Sequence, residues 1–170
     1  MAQTAASVVK VAARFCAVLQ CPAMHVGVRT EGARIAEIAY LPTSVPLAAP
    51  RNRLAERAAR QLDRYLDDPD ARFELPLAEV GSTYQRRVWD AVSAIPRGRT
   101  ATYGQIARAL RSAPRAIGQA CGANWFPLVI PCHRVVGANG LGGFAHHGDG
   151  FHLEIKRWLL CHEHALPGHA

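Results

Sequence analysis

The residues of this chain best suited to chemistry are Cys132 and His133, adjacent in FPLVIPCHRVV at 126–136 between Pro131 and Arg134. A cysteine becomes a strong nucleophile when it is held as thiolate, which a nearby imidazole can arrange. Neighbours in an extended strand point to opposite faces, so contact between the two needs a turn or a bridging water. We expect the order Cys132, water, His133. The other reading of Cys132 is a small buried hydrophobe at a strand end, and spacing alone favours it. Glu163 is the third candidate: in HLEIKRWLLCHE it follows Ile155 and Leu159 at intervals of four, continuing their apolar helical stripe. A carboxylate near a helix C-terminus opposes the macrodipole. Buried there it needs a partner, and in a frayed, solvated last turn it needs none.

The elements that must position these side chains begin near Gly81. Ser82 or Thr83 can cap a helix running to about Ala94 with Val88, Trp89 and Val92 inward, closed by IPRGR. TYGQIARAL (102–110) and APRAIGQACGAN (113–124) then read as two short helices separated by Arg111-Ser112, which suggests a helix-turn-helix over about 102–123. Arg97, Arg99, Arg108, Arg111 and Arg115 cluster on and around it. An extended run, WFPLVIPC, a glycine-rich loop from Gly137 to Gly150 and a last helix follow. The first half is punctuated differently: FCAVL (15–19), HVGVR (25–29) and RIAEIAY (34–40) are β-like, the last two joined through Thr30-Glu31-Gly32. From Arg51 to Asp67, Leu54, Ala58, Leu62, Tyr65 and Leu66 share one stripe of an amphipathic helix. The expected organisation is a small α/β domain over 1–78 and a mostly α domain over 79–170.

Composition sets the context. Lysine plus arginine number 20 against 13 acidic residues, a net charge of +7 carried mostly by arginine. A polyanionic partner fits that balance, as does an arginine-rich composition with no nucleic acid bound. Five scattered cysteines lack the pairing of a disulfide framework or zinc site, which points to a reducing, cytoplasmic setting. Lys10 interrupts the apolar N-terminus and no basic residue stands near Met1, so neither a signal peptide nor a membrane span is expected. His146, His147, Asp149 and His152 crowd one loop without a matching ligand set, and Cys16, Cys21 and His25 supply at most three ligands, so no metal is expected. No cofactor is expected, and nothing suggests more than a monomer.

PCHRVV at 131–136, with Asn124, Arg115 and Tyr103 upstream and KRWLLCHE downstream, resembles the O6-alkylguanine-DNA alkyltransferase family over roughly 80–164. The resemblance implies a ribonuclease-H-like N-terminal module, a small antiparallel sheet plus helix, followed by a winged or helix-turn-helix DNA-binding domain. It implies the activity of a methylated-DNA–protein-cysteine S-methyltransferase: one irreversible transfer of an alkyl group from O6-methylguanine, less readily O4-methylthymine, in duplex DNA to Cys132 after base flipping. In that scheme His133 takes the thiol proton through water, Glu163 holds the imidazole, Tyr103 donates toward guanine N3, and Asn124 braces the turn before the cysteine. The second helix enters the minor groove, where Arg115 fills the gap in the stack and Ala116 and Gly118 allow close approach. Arg134, Ser112 and Thr102 are further DNA-contacting candidates, and Val135, Phe144, Trp125 and Pro127 are candidates around the guanine. The alternative within this scheme is a non-catalytic recogniser of alkylated bases. A cysteine hydrolase lacks any accompanying oxyanion-hole motif.

Four departures mark this chain. Trp125 stands where the family usually has a proline after the asparagine. The connection from Tyr103 to Arg115 is about two residues shorter than usual, with Pro114 directly before Arg115 rather than at the helix start. His146 to Gly150 read as an insertion in the loop that carries Phe144. The N-terminal module shows neither a full zinc ligand set nor an added cysteine-rich regulatory domain.

Overall fold

The three β-like runs, rich in Val, Ile and Ala, pair as one antiparallel sheet of order β1-β2-β3: β1 Ala17–Gln20, β2 His25–Glu31 and β3 Arg34–Leu41. Strand β2 continues through Glu31, so the hairpin turns at Gly32-Ala33, later than the sequence suggests. Gly32 takes φ +56, a conformation open to glycine because it has no Cβ. The computed structural model describes residues 5–142 and 150–166. The chain forms two units, Met1–Glu79 and Val80–Ala170.

In the first unit, the N-terminal apolar stretch is a helix, α1 (Ala5–Ala13), which the β-directed reading did not anticipate. Val8, Val11 and Ala12 recur at helical spacing and pack on Phe15, Val18, Leu41 and Val45. Helix α2 (Arg53–Asp67) starts where Asn52 accepts from Ala55 N at 2.8 Å. It buries Ala58, Leu62 and Tyr65 of the expected stripe and leaves Leu54 and Leu66 half-buried; it also buries Ala55 and Gln61, whose amide is satisfied at both ends by the Glu74 backbone, at 3.1 and 2.8 Å.

The second unit is mostly helical. Helix α3 (Thr83–Ser93) opens with a reciprocal capping box between Ser82 and Gln85 and buries Val88, Trp89 and Val92. Helices α4 (Tyr103–Leu110) and α5 (Pro114–Gly122) follow, α4 with its own Thr102–Gln105 capping box. Pro114 occupies the start of α5, contrary to the placement expected for it; a first-turn N–H has no helical acceptor, so its loss is tolerated there. Arg111 takes the left-handed conformation, φ 52, between α4 and α5. Helix α3 fixes that turn through Tyr84 Oη to Ser112 Oγ at 2.6 Å and Arg87 Nη2 to Leu110 O at 2.5 Å, and reaches α5 through Trp89 Nε1 to Ala120 O at 2.8 Å.

The segment WFPLVIPC is not extended. Bends and turns occupy 125–130, and Cys132–Arg134 form a single 3-10 turn. Pro127 and Pro131 lack the N–H groups a strand ladder needs, and Asn124 offers the loop a different set of hydrogen bonds. The chain then pairs briefly in parallel, β4 (Ala101–Thr102) with β5 (Val135–Val136), before α6 (Gly150–His162). Among the described residues no helix is long and apolar enough to cross a membrane.

Candidate active site

Asn124, just beyond α5, shapes the loop that presents the cysteine. Its Oδ1 accepts from Phe126 N at 2.8 Å, while Nδ2 donates to Ile130 O at 2.9 Å and points at Cys132 Sγ at 3.3 Å. One side chain thus closes the turn and contacts the nucleophile candidate. Cys132 is buried at 4% exposure. The neighbouring Cys121 thiol and burial hold the Cys132 thiol well above its ordinary 9.0.

The 3-10 turn, in place of a strand, changes how His133 is aimed. Its Nε2 meets Glu163 Oε1 at 2.9 Å, both side chains being buried. The Nδ1 atom is also buried and has no protein hydrogen-bond partner among the described residues. Burial holds the imidazole below 6.5 against the opposing pull of Glu163, so the ring is neutral near pH 7. With Nε2–H donated to the carboxylate, Nδ1 carries the free lone pair and is the basic position.

Glu163 follows the last residue of α6, and its N–H still bonds Leu159 O at 2.9 Å. The turn is neither frayed nor solvated. Burial would raise its carboxyl, but hydrogen bonds from His133 and Arg134 outweigh burial and hold it far below the ordinary carboxylate range. Arg134 donates Nε to Oε2 at 2.9 Å, Nη2 to Oε1 at 3.0 Å and Nη1 to Ile95 O at 2.8 Å. Arg134, expected among the DNA contacts, thus has its guanidinium bonded to Glu163 and to the Ile95 carbonyl.

Tyr103 opens α4 with its ring between two glycines. A Cβ at Gly118 would lie 3.9 Å from Cε1, and one at Gly142 only 2.9 Å from Cε2. Burial, then the neighbouring Cys121 and Cys132, hold the phenol proton more firmly than usual. Lys156 of α6 is completely buried, donates to Val135 O at 2.6 Å and sits 5.7 Å from the centre of the Tyr103 ring. Burial lowers its ammonium to about 8, against the pull of the two cysteines.

Other expected residues divide by place. Arg115 is exposed in the first turn of α5, with Ala116 and Gly118 half-buried behind it. Thr102 Oγ1 accepts from Gln105 N at 3.0 Å, and the Ser112 hydroxyl pairs with Tyr84, so both side chains already serve the α4 cap and its turn. The carbonyl of Val135 already carries Lys156. Trp125 is 42% exposed and Pro127 half-buried on the Asn124 loop. Phe144, His146, His147 and Asp149 lie outside the described residues. No group of metal-ligating side chains occurs among the described residues. Cys16 instead meets Thr30 Oγ1 at 3.2 Å, and His25 Nδ1 meets Val45 O at 2.8 Å.

Sequence reasoning missed Lys156 and left Cys121 as plain core. Each had a periodic signal: Lys156 stands two helical turns before Glu163, and Cys121 one turn before Asn124.

Residues 83–165 match the family model described as 6-O-methylguanine DNA methyltransferase, DNA binding domain. The chain is also similar to the crystal structure of Mycobacterium tuberculosis OGT in complex with DNA, with 30% identity and TM-score 0.71 over 86% of this chain and 90% of that one. This chain belongs to the O6-methylguanine DNA methyltransferase family. The methylated-DNA–protein-cysteine methyltransferase of Archaeoglobus fulgidus is 45% identical over 86 residues, 51% of this chain and 58% of that protein. The constitutive enzyme of that description from Bacillus subtilis is 44% identical over 110 residues, 63% of this chain and 64% of that protein. The chain thus matches less than two thirds of the length of these curated relatives. The crystal structure of the M. tuberculosis O6-methylguanine methyltransferase gives TM-score 0.73 at 29% identity, covering 87% of this chain and 91% of that one.

Proposed function

We propose that this protein repairs DNA by direct reversal, moving the alkyl group of O6-methylguanine, and less readily that of O4-methylthymine, irreversibly onto Cys132. The observation that carries the reading is the buried series Cys132, His133, Glu163, in which the imidazole bonds its carboxylate through Nε2 and keeps Nδ1 for a proton. A water between Sγ and Nδ1 relays the thiol proton to His133. The thiolate attacks the alkyl carbon, the S–C bond forms, and the C–O6 bond breaks with its electron pair passing to the guanine. Tyr103 gives the departing base a proton, at N3, and regains one from the imidazolium side through solvent. The thioether has no easy return, so each molecule acts once.

The target carbon is inside a duplex, so the base must be turned out to reach a thiol this deeply buried. Helices α4 and α5 serve as a helix-turn-helix, with α5 in the minor groove and exposed Arg115 filling the vacated stack. The net charge of +7 supports salt-sensitive phosphate binding. Val135, Trp125, Pro127 and Phe144 border the extruded guanine, Val135 through the lone pair that Lys156 leaves free. The first unit, a three-stranded antiparallel sheet with helices, takes the ribonuclease-H-like form, and residues 1–78 and 79–170 act as separate domains of a monomeric, cytoplasmic protein.

Intact-mass spectrometry after incubation with duplex DNA carrying one O6-methylguanine tests this. Wild type gains one methylene mass on the peptide containing Cys132, and Cys132→Ala gains none. Lesion-selective binding with no mass gain in wild type would overturn transfer in favour of a recogniser of alkylated bases.

A further inference from the structure

Three non-glycine residues among those described have positive φ: Leu128, His164 and Arg111. Leu128 is 6% exposed, so its packing offsets the strain. Histidine enters the left-handed region more readily than most residues. Arg111 has neither explanation. It takes φ 52 and ψ 53 at the C-terminal end of α4, where the Cβ of an L-residue crowds the following carbonyl oxygen and a glycine would not. Its side chain is exposed and makes no hydrogen bond or ion pair among the described residues. The turn is fixed by other groups: Ser112 N bonds Ala107 O at 2.8 Å, the Ser112 hydroxyl meets Tyr84, and Arg87 holds Leu110 O. The fold thus imposes a left-handed residue at 111, and the sequence places there a cation with no partner among the described residues.

Charge is distributed in the same sense. Val80–Ala170 carries ten basic and four acidic residues against ten and nine in Met1–Glu79, so nearly all of the net charge belongs to the unit that holds α4 and α5. Between Ser82 and Ala123 the sole carboxylate is Asp90. We propose that Arg111 is a phosphate anchor for duplex DNA, its guanidinium presented by the left-handed turn to the backbone that walls the groove α5 enters. This rests on the reading that α4 and α5 form a helix-turn-helix on DNA. In such a motif the first helix crosses the sugar-phosphate backbone and the second lies in the groove, so the turn between them passes beside phosphates. A guanidinium offers paired donors to two oxygens of one phosphate. Arg111 breaks no internal bond to make that contact, and the counterions it displaces make the contact salt-dependent. Arg115, four residues on, fills the stack, so the two arginines divide the work between backbone and base gap. Strained residues that their surroundings over-determine cluster where ligands are held. The strain at Arg111 accompanies a contact that a glycine cannot make.

The test measures binding of the full chain to an undamaged duplex by fluorescence anisotropy, from about 0.05 to 0.5 M salt. For Arg111→Gly the fall of log affinity with log salt should be shallower than in wild type by about 0.9, the value of one phosphate contact, with binding about fivefold to tenfold weaker near 0.1 M salt. Thermal unfolding of the same variant should move up by about 2–4 °C, because glycine relieves the turn. Arg111→Lys keeps a cation in the same conformation and should keep the wild-type slope and midpoint. Arg60→Gln, at an exposed position of α2, removes the same charge from the first unit and should leave the slope unchanged. An unchanged slope in Arg111→Gly, an equal fall in Arg60→Gln, or a slope lost in Arg111→Lys as well would overturn the phosphate contact while the helix-turn-helix reading stands. A midpoint that does not rise in Arg111→Gly would overturn the strain. Absence of salt-dependent duplex binding by wild type would overturn the helix-turn-helix reading, and the anchor with it.

Discussion

Each unit holds one carboxylate between two basic side chains, and the two arrangements differ mainly in access to water. Glu37 in the first unit meets Arg14 at 2.6 Å and Arg29 at 3.1 Å, with side-chain exposures of 13%, 57% and 30%. Glu163 in the second meets His133 and Arg134 at 2.9 Å each, with exposures of 0%, 1% and 14%. At equal distance, solvent screens the first set and burial strengthens the second. The buried set also constrains geometry: removing its carboxylate strands two polar side chains that cannot turn to water. The same residue types are therefore surface trim in one unit and the frame of the site in the other.

The largest effect follows from breaking the buried set. Glu163→Ala is expected to cost about 3–5 kcal/mol of stability, since it leaves Arg134 without its carboxylate. Denaturant unfolding measures it, and a loss under about 1 kcal/mol would place Glu163 with ordinary surface pairs. Acid should have a related effect. The Glu163 carboxyl is held below its ordinary 4.5 in the folded protein, so its contribution is complete above that value and fades as pH falls through the folded one. His133 is held below 6.5, so its contribution is likewise complete above 6.5 and fades as pH drops. Stability of the wild type should decline from about pH 6.5 downward; in Glu163→Ala the part of the decline below about 4.5 should flatten, while the His133 part, no longer opposed by the carboxylate, should persist or deepen. An equal slope in both proteins would assign the acid sensitivity elsewhere.

A middle-sized effect separates packing from chemistry. In the first unit a Cβ on Gly27 would approach Phe15 Cδ1 at 2.8 Å and a Leu41 methyl at 2.9 Å. Overpacking of this kind costs typically about 1–3 kcal/mol. Gly27→Ala should lower the unfolding midpoint by that amount and leave methyl transfer by the folded protein unchanged. A change in transfer rate without a stability loss would show that the first unit reaches the chemistry.

These contrasts also explain what the sequence could convey. The β-like runs, the α2 stripe and the Ser82 cap are local patterns, and local patterns survive in the sequence. Cys132, His133, Glu163 and Asn124 were legible as a motif, but their hydrogen bonds were not. The run WFPLVIPC is rich in strand formers, yet its prolines and the Asn124 side chain turn it into a loop with a 3-10 turn. Arg134 looked free because nothing local shows that Glu163, 29 residues later, takes its guanidinium. Lys156 reads as an ordinary charge until α6 is laid against β5, where it caps the Val135 carbonyl. Long-range burial decided each of these; the spacing of Lys156 to Glu163 places the two on one helical face but does not show which partners they meet.

The smallest effect completes the comparison from the exposed side. Glu37→Gln removes the charge facing Arg14 and Arg29 while keeping an oxygen acceptor near both. Arg14 is free to turn into water, so only the partly screened attraction is lost. The expected cost is about 0–1 kcal/mol, and it should shrink as ionic strength rises toward 1 M, where screening acts within about 3 Å. Unfolding of wild type and variant at low and high salt checks both points. A cost of several kcal/mol, insensitive to salt, would mean that the sheet face of the first unit shields its ion pairs as fully as the second unit does, and exposure would no longer explain why the two carboxylates differ.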